Sequence, residues 1–164
     1  MKMEQSQSEL AVGFIMGVAY RKIAALLQHR LKGYEITPEQ WSVLNQIVRA
    51  NGLIQKEIAD RTGKDKPTTT RIIDLLEAKG LVYKQPGQQD RRSFIVYSTE
   101  RGKELIRETA PIEQSVTEEV KRIMSGEEYG LLMELLERIQ VHLNEAHPGE
   151  IEREKQGEGE SAHT

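Results

Sequence analysis

Apolar residues recur along most of this chain at helical spacing, and the interruptions mark its breaks. From Glu9 to about Leu31 they cover two faces of one predicted helix, with Leu10, Phe14 and Val18 on one and Ile15, Ala19, Ile23 and Leu26 on another. A helix that apolar must be buried on two sides. A chain of this size has trouble doing that alone, so the pattern predicts a partner chain. Between Leu10 and Leu27, 14 of 18 residues are apolar, but Arg21 and Lys22 interrupt the run and argue against a bilayer span. Residues 1–8 are polar and predict a frayed start.

Three shorter helical patterns follow. Thr37-Pro38-Glu39-Gln40 is a capping box with proline in the first turn. Trp41, Leu44, Ile47 and Val48 then give a buried stripe that stops at Asn51-Gly52. Ile54 to Thr62 is a second helix, ended by Gly63, and Asp65 caps a third that runs to about Lys79 and Gly80. The pattern then changes to strands, Leu81 to Gln85 and Phe94 to Tyr97, around a polar tip containing Pro86-Gly87. From Thr99 a long helix runs towards Met124, and Pro111 predicts a kink in it or a break at Ala110. Ser125 to Glu128 is another capping box. It opens a last helix with Leu132, Leu135, Leu136, Ile139 and Leu143 at helical spacing. The Gly- and Glu-rich stretch from Pro148 to Thr164 predicts disorder. There is no internal repeat. The predicted fold class is mainly α with a small β-hairpin (α+β): a winged helix-turn-helix flanked by terminal helices.

At 164 residues, with 37% apolar and 30% charged positions, the chain suits one soluble globular domain. It has no cysteine, which excludes a disulfide framework, thiolate zinc sites and a thiol switch, and fits a reducing cytoplasm. The start lacks the cationic segment and cleavage site of a secretory signal. His29, His142, His147 and His163 are scattered, and His142 and His147, five apart, fall on different helix faces, so no metal is predicted. No G-x-G-x-x-G, P-loop or G-x-S-x-G motif is present, so neither enzyme nor cofactor is expected.

The net charge of −3 hides an uneven distribution. Residues 1–55 carry 6 basic and 4 acidic side chains, residues 56–103 carry 11 and 7, and residues 104–164 carry 6 and 15. The positive surplus therefore sits on the three short helices and the hairpin, where an electrostatic footprint on phosphate would lie. A merely solvated charged face is the alternative. The hairpin tip carries Asp90-Arg91-Arg92. A helix-turn-helix ending in such a tip is suited to duplex DNA, with the third helix in the major groove and the tip reaching an adjacent groove or the backbone.

Residues 37–105 resemble the MarR (multiple antibiotic resistance regulator) family of bacterial winged-helix transcription factors. The resemblance is carried by Thr37-Pro38-Glu39-Gln40-Trp41, Lys56-Glu57-Ile58-Ala59, Asp65, Thr68-Thr69-Thr70-Arg71, Asp74 to Val82, Asp90-Arg91-Arg92-Ser93, Thr99 and Gly102. It implies a homodimer with interlocking terminal helices, a pseudo-palindromic double-stranded operator, a small-molecule pocket between reader and dimer helices, and a repressor of the bacterial nucleoid. Two positions depart from the family pattern. Ile54 stands where a Ser or Thr cap is common, a loss of about 1 kcal/mol at that helix start. Ser98 stands where an apolar residue is usual. The organisation expected is a flexible start over 1–8, a dimerisation helix over 9–33, the DNA-binding winged helix over 37–99, further dimerisation helices over 100–146 and an acidic tail over 147–164.

A helical wheel turns Thr69, Ile72, Ile73 and Leu76 inward and Pro67, Arg71, Asp74 and Ala78 outward, with Thr68 and Thr70 on the flanks. Lys66, Pro67, Thr68, Thr70 and Arg71 are thus candidates for DNA contact. The threonines and Arg71 would read bases, while Gln55 and Lys56 would meet phosphate. The alternative is that the threonines only satisfy the helix start and Arg71 pairs with Asp74 or Glu77. Asp90 is expected to hold one of Arg91 and Arg92 while the other enters the minor groove, against the alternative of a solvated loop. Phe14, Met16, Tyr20, Tyr34 and Trp41 are candidates to line a pocket for an organic, aromatic effector, against the alternative of plain core. The competing function is a winged-helix module for protein contacts alone.

Overall fold

The structure, a computed structural model, describes residues 11–87 and 93–156. The described residues form, in order, α1 (Val12–Arg30), α2 (Pro38–Ala50), β1 (Leu53–Ile54), α3 (Gln55–Thr62), α4 (Lys66–Ala78), β2 (Val82–Pro86), β3 (Phe94–Ser98), α5 (Glu100–Lys121), α6 (Gly126–Ala146) and α7 (Pro148–Gln156). It is a mainly helical winged-helix fold with one small antiparallel sheet. The predicted frayed start, the tip Asp90-Arg91-Arg92 and the end of the tail lie outside the described residues.

Side chains set the helix starts. Thr37, Asp65, Thr99 and Ser125 each accept a hydrogen bond from the backbone amide three residues on, at 3.2, 2.7, 3.1 and 3.1 Å. Gln40 and Glu128 return the bond to Thr37 and Ser125, completing two capping boxes. Ile54 has no oxygen with which to cap α3. The Glu57 carboxylate instead accepts from the Ile54 amide at 2.9 Å, so only half the box exists.

Leu53-Ile54 is a third strand that the alternation pattern misses, since two residues are too few to show a period. β3 lies at the centre of the sheet, between β1 and β2. Leu53 stands opposite Val96 and Ile54 opposite Ile95, while Val82 to Pro86 run against Ser98 to Phe94. β3 continues through Ser98, which is buried opposite Val82. The tyrosines of the Tyr83–Tyr97 pair stack with ring centroids 5.5 Å apart. Gly87 N–H donates to Ser93 O at 2.8 Å and narrows the mouth of the hairpin.

The core is the meeting of α2, α3, α4 and the sheet. Val43, Leu44, Ile47, Ile58, Ile72, Ile73, Leu76, Val82 and Val96 are each at most 2% exposed. Helix α5 is fastened to its neighbours at three places. Thr99 N–H donates to Leu81 O at 3.0 Å and the Thr99 hydroxyl to Gly80 O at 2.7 Å. The Trp41 indole donates to the buried Thr109 hydroxyl at 2.8 Å. Arg30 of α1 donates to Ser115 Oγ at 2.9 Å and Glu119 Oε1 at 3.1 Å.

These fastenings bracket Pro111, and α5 is a single helix from Glu100 to Lys121, so of the kink or break expected there the break at Ala110 does not occur. Proline withholds one amide, and contacts on both sides keep the chain helical. The second correction is at the C-terminal end. Residues 148–156 form α7 where disorder was expected, and α7 packs against both α6 and α4. Composition carries no trace of that contact. Among the described residues no helix is long and apolar enough to cross a membrane.

Two glycines are demanded by close approach. At Gly102 a Cβ would lie 2.2 Å from Leu81 O, and at Gly52, with φ +110°, it would lie 2.5 Å from the Tyr97 ring. Gly102→Ala is therefore expected to lower the unfolding free energy by at least about 2 kcal/mol in urea denaturation. Gly130→Ala, in the open on α6, should raise it by up to about 1 kcal/mol. Equal effects of the two would contradict the packing of α5 on Leu81.

Candidate nucleic-acid interface

Helix α4 is split lengthwise between fold and surface. Thr69, Ile72, Ile73 and Leu76 are buried, and the Thr69 hydroxyl donates to Asp65 O at 2.7 Å. Lys66, Pro67, Thr70, Arg71 and Asp74 are exposed and, with Leu75, line an open hollow of about 770 Å³. Thr68 is half-buried, its amide held by Asp65 Oδ1.

A second, deeper groove of about 840 Å³ runs between α3, α4 and the sheet. Gln55, Lys56, Lys66, Thr70, Asp74, Lys84, Phe94 and Glu152 are among its lining residues. Gln55 is turned onto α4 rather than outward, its amide nitrogen donating to the Thr70 hydroxyl and, at 3.5 Å, to Lys66 O. Thr70 in turn donates to Lys66 O at 2.9 Å. The Thr69 and Thr70 hydroxyls thus bond back to carbonyls at the start of the helix. The plainer alternative for Arg71 fits less well. Asp74 and Glu77 are both engaged by Lys84 of β2, at 2.6 and 3.7 Å.

Lys84 was not among the candidates read from the sequence. It shares a strand face with the buried Val82, and its partners sit on α4, so only the hairpin's register against that helix reveals it. Phe94 and Glu152, which line the groove, were missed for the same reason. The hydrogen bond it donates to Asp74 holds the Lys84 ammonium above its ordinary pKa, burial opposing and the charges of Asp74 and Glu77 adding. At the helix start, the Thr68 backbone amide keeps the Asp65 carboxyl below the usual carboxylate range. Beside it, burial pushes Lys64 down against the raising effect of the Asp65 charge. Glu39 of α2 accepts from both Lys64 and Tyr20, joining α1 to the turn before α4.

The five pocket candidates have unlike surroundings. Phe14 and Met16 are exposed and, two residues apart on α1, point in nearly opposite directions. Tyr20 is exposed and bonded to Glu39. Tyr34 packs against the core, and Trp41 is buried with its indole on Thr109. Asp90, Arg91 and Arg92 lie outside the described residues.

Two short helices followed by a half-exposed third and a hairpin strapped to it define a winged helix-turn-helix protein. A family model for the MarR family matches residues 34–93. A cysteine-to-serine mutant of MarR from E. coli, complexed with operator DNA, is 26% identical, with a TM-score of 0.72 over 78% of this chain and 92% of that one. The S. aureus MepR–DNA complex is 23% identical, with a TM-score of 0.73 over 82% of this chain and 100% of that one. NadR in complex with 4-hydroxyphenylacetate is 20% identical, with a TM-score of 0.70 over 80% and 94%. Residues 34–93 therefore carry the sequence pattern of the MarR family, and most of the chain shares the fold of its solved members.

The Asp65 cap makes a pH-dependent prediction. A carboxyl with its pKa depressed in the folded state contributes stability above its unfolded pKa and loses it as pH falls through the folded value. Asp65→Ala should therefore destabilise the protein at neutral pH, and the gap to wild type should close as the pH falls below about 4, the ordinary carboxylate value. Urea midpoints across an acid series check this, and a gap that widened on acidification would refute it.

Proposed function

We propose that this chain is a DNA-binding, ligand-responsive transcription regulator, acting as a homodimeric repressor on a pseudo-palindromic operator. The observation that carries the reading is the outward face of α4, where Lys66, Pro67, Thr70 and Arg71 stand exposed on a helix whose other face is locked into the core. On this reading Thr68, Thr70 and Arg71 contact base edges, Lys56 and Lys66 meet phosphate, and Gln55 sets the position of Thr70. Asp90, Arg91 and Arg92 form the wing grip. The operator and DNA complexes of MarR and MepR support this by family and fold.

The dimer is supported by what one protomer leaves uncovered. Val12, Phe14, Ile15, Tyr20 and Ile23 of α1 are each at least 40% exposed. Helix α6 buries no residue and exposes Leu131, Met133, Leu135, Val141 and Leu143. Apolar faces of that extent mark an interface. The effector is proposed to be a small aromatic molecule, by analogy with the 4-hydroxyphenylacetate complex of NadR. It would enter beside Tyr20, Tyr34 and Trp41 near the dimer helices, completed by Phe14 and Met16 of α1, and would release DNA by favouring one spacing of the two α4 helices.

Mobility shift with the DNA upstream of the chain's own gene tests the reading, together with sedimentation. A dimer that shifts this DNA is expected. A stable lone protomer indifferent to any duplex at low ionic strength would sink the reading and leave the protein-contact module. Footprinting of Arg71→Ala should show relaxed preference at one base pair, a loss of about 1–3 kcal/mol in discrimination. Joint Arg91→Ala and Arg92→Ala should weaken binding to all sequences and flatten the salt dependence by about 2 units of slope per wing. Trp41 fluorescence, titrated with phenols and aromatic acids, should respond to an effector, and silence towards all of them would remove the aromatic assignment.

A further inference from the structure

The groove beside α4 has an occupant within the chain. Glu152 of α7 lines it together with Lys56, Lys66 and Lys84, and α7 packs directly against α4. The connection leaves little freedom. Helix α6 ends at Ala146, α7 begins at Pro148, and the Ile151 amide donates to His147 O at 3.1 Å across the junction. Ile151, the one large apolar side chain after Pro148, is half-buried. Residues 148–164 carry five glutamates against Arg153 and Lys155, a net charge of −3.

We propose that α7 (Pro148–Gln156) is an intramolecular competitor for DNA, docking in cis on the groove of α4 and lowering the protein's affinity for duplex. The inference rests on α4 being the DNA-reading helix. Phosphate and the Glu152 carboxylate call on the same lysines, and a duplex seated on Lys66 and Thr70 needs the space beside α4 that α7 occupies. The two states therefore exclude each other. A one-residue tether gives the segment a high effective concentration, so a contact too weak to hold in trans suffices in cis. If the docked state holds about nine molecules in ten, apparent affinity falls about tenfold. The same arrangement makes the tail a point of control. Any protein or cation that captures the acidic segment would release the reader.

The test compares the full chain, a form ending at His147, and full-length Ile151→Asn, each checked for folding by its melting temperature. Binding to a short fluorescent duplex of mixed sequence is measured at low ionic strength. Removing the segment should tighten binding about tenfold. Ile151→Asn leaves the charge unchanged and should move affinity in the same direction. If truncation tightens binding while Ile151→Asn behaves as wild type, the effect is one of net charge and docking is refuted. Equal affinity of all three forms refutes the inference and leaves the DNA-reading assignment standing. Failure of all three to bind duplex overturns that assignment, and the inference with it.

Discussion

The indole N–H of Trp41 has its partner in Thr109, and the arrangement of the helices follows from that bond. Trp41 belongs to α2, at the centre of the winged-helix core, while Thr109 lies midway along α5, the helix that leads away from it. A buried donor left without a partner costs about 1–3 kcal/mol, so the two helices are held in one register. The Thr109 hydroxyl passes the constraint on by donating to Leu105 O at 2.6 Å. Gly102 closes on Leu81 two turns before Thr109 and Arg30 grips Ser115 and Glu119 later, so α5 is the spine to which both the winged helix and α1 are fixed.

From that spine the chain separates its two kinds of surface. Near β2 and β3 charged and polar side chains gather around α4, with lysines drawn from three elements beside the exposed Phe94. Away from it, α1 and α6 expose many aliphatic and aromatic side chains. The cation–π contact of Lys121 with the Tyr129 ring, 4.9 Å from its centroid, helps turn the chain from α5 into α6. The uneven distribution of charge along the sequence thus has a spatial meaning. The acidic C-terminal third is folded back so that one of its helices rests on the basic middle third.

Local chemistry made much of the fold readable in advance. The caps at Thr37, Asp65 and Ser125 are written in adjacent residues, and the wheel of α4 sorts Thr69, Ile72, Ile73 and Leu76 from Arg71 and Asp74 because only helical period is needed. What stayed hidden depends on partners remote in the chain. β1 is two residues that become a strand only because β3 passes beside them. Pro111 reads as a kink or a break because the tertiary contacts that hold both sides of it are out of local view. Residues 148–156 read as disordered because their helix is supported by α4 and α6. The candidate site followed the same division. Its exposed residues on α4 were legible, whereas Lys84, Gln55 turned onto Thr70, and Glu152 are consequences of how elements meet.

The ion pair between Lys84 and Asp74 bears on how such a protein diversifies. Asp74 stands on the outward side of α4, one turn beyond Arg71, yet its carboxylate is committed to the hairpin. A change there would loosen the strap before it altered any chemical choice. If α4 reads DNA as proposed, its vocabulary is confined to its first turn and a half, and new sequence preferences in a lineage of such chains would arise by rewriting positions 66 to 71 while 74 stays fixed.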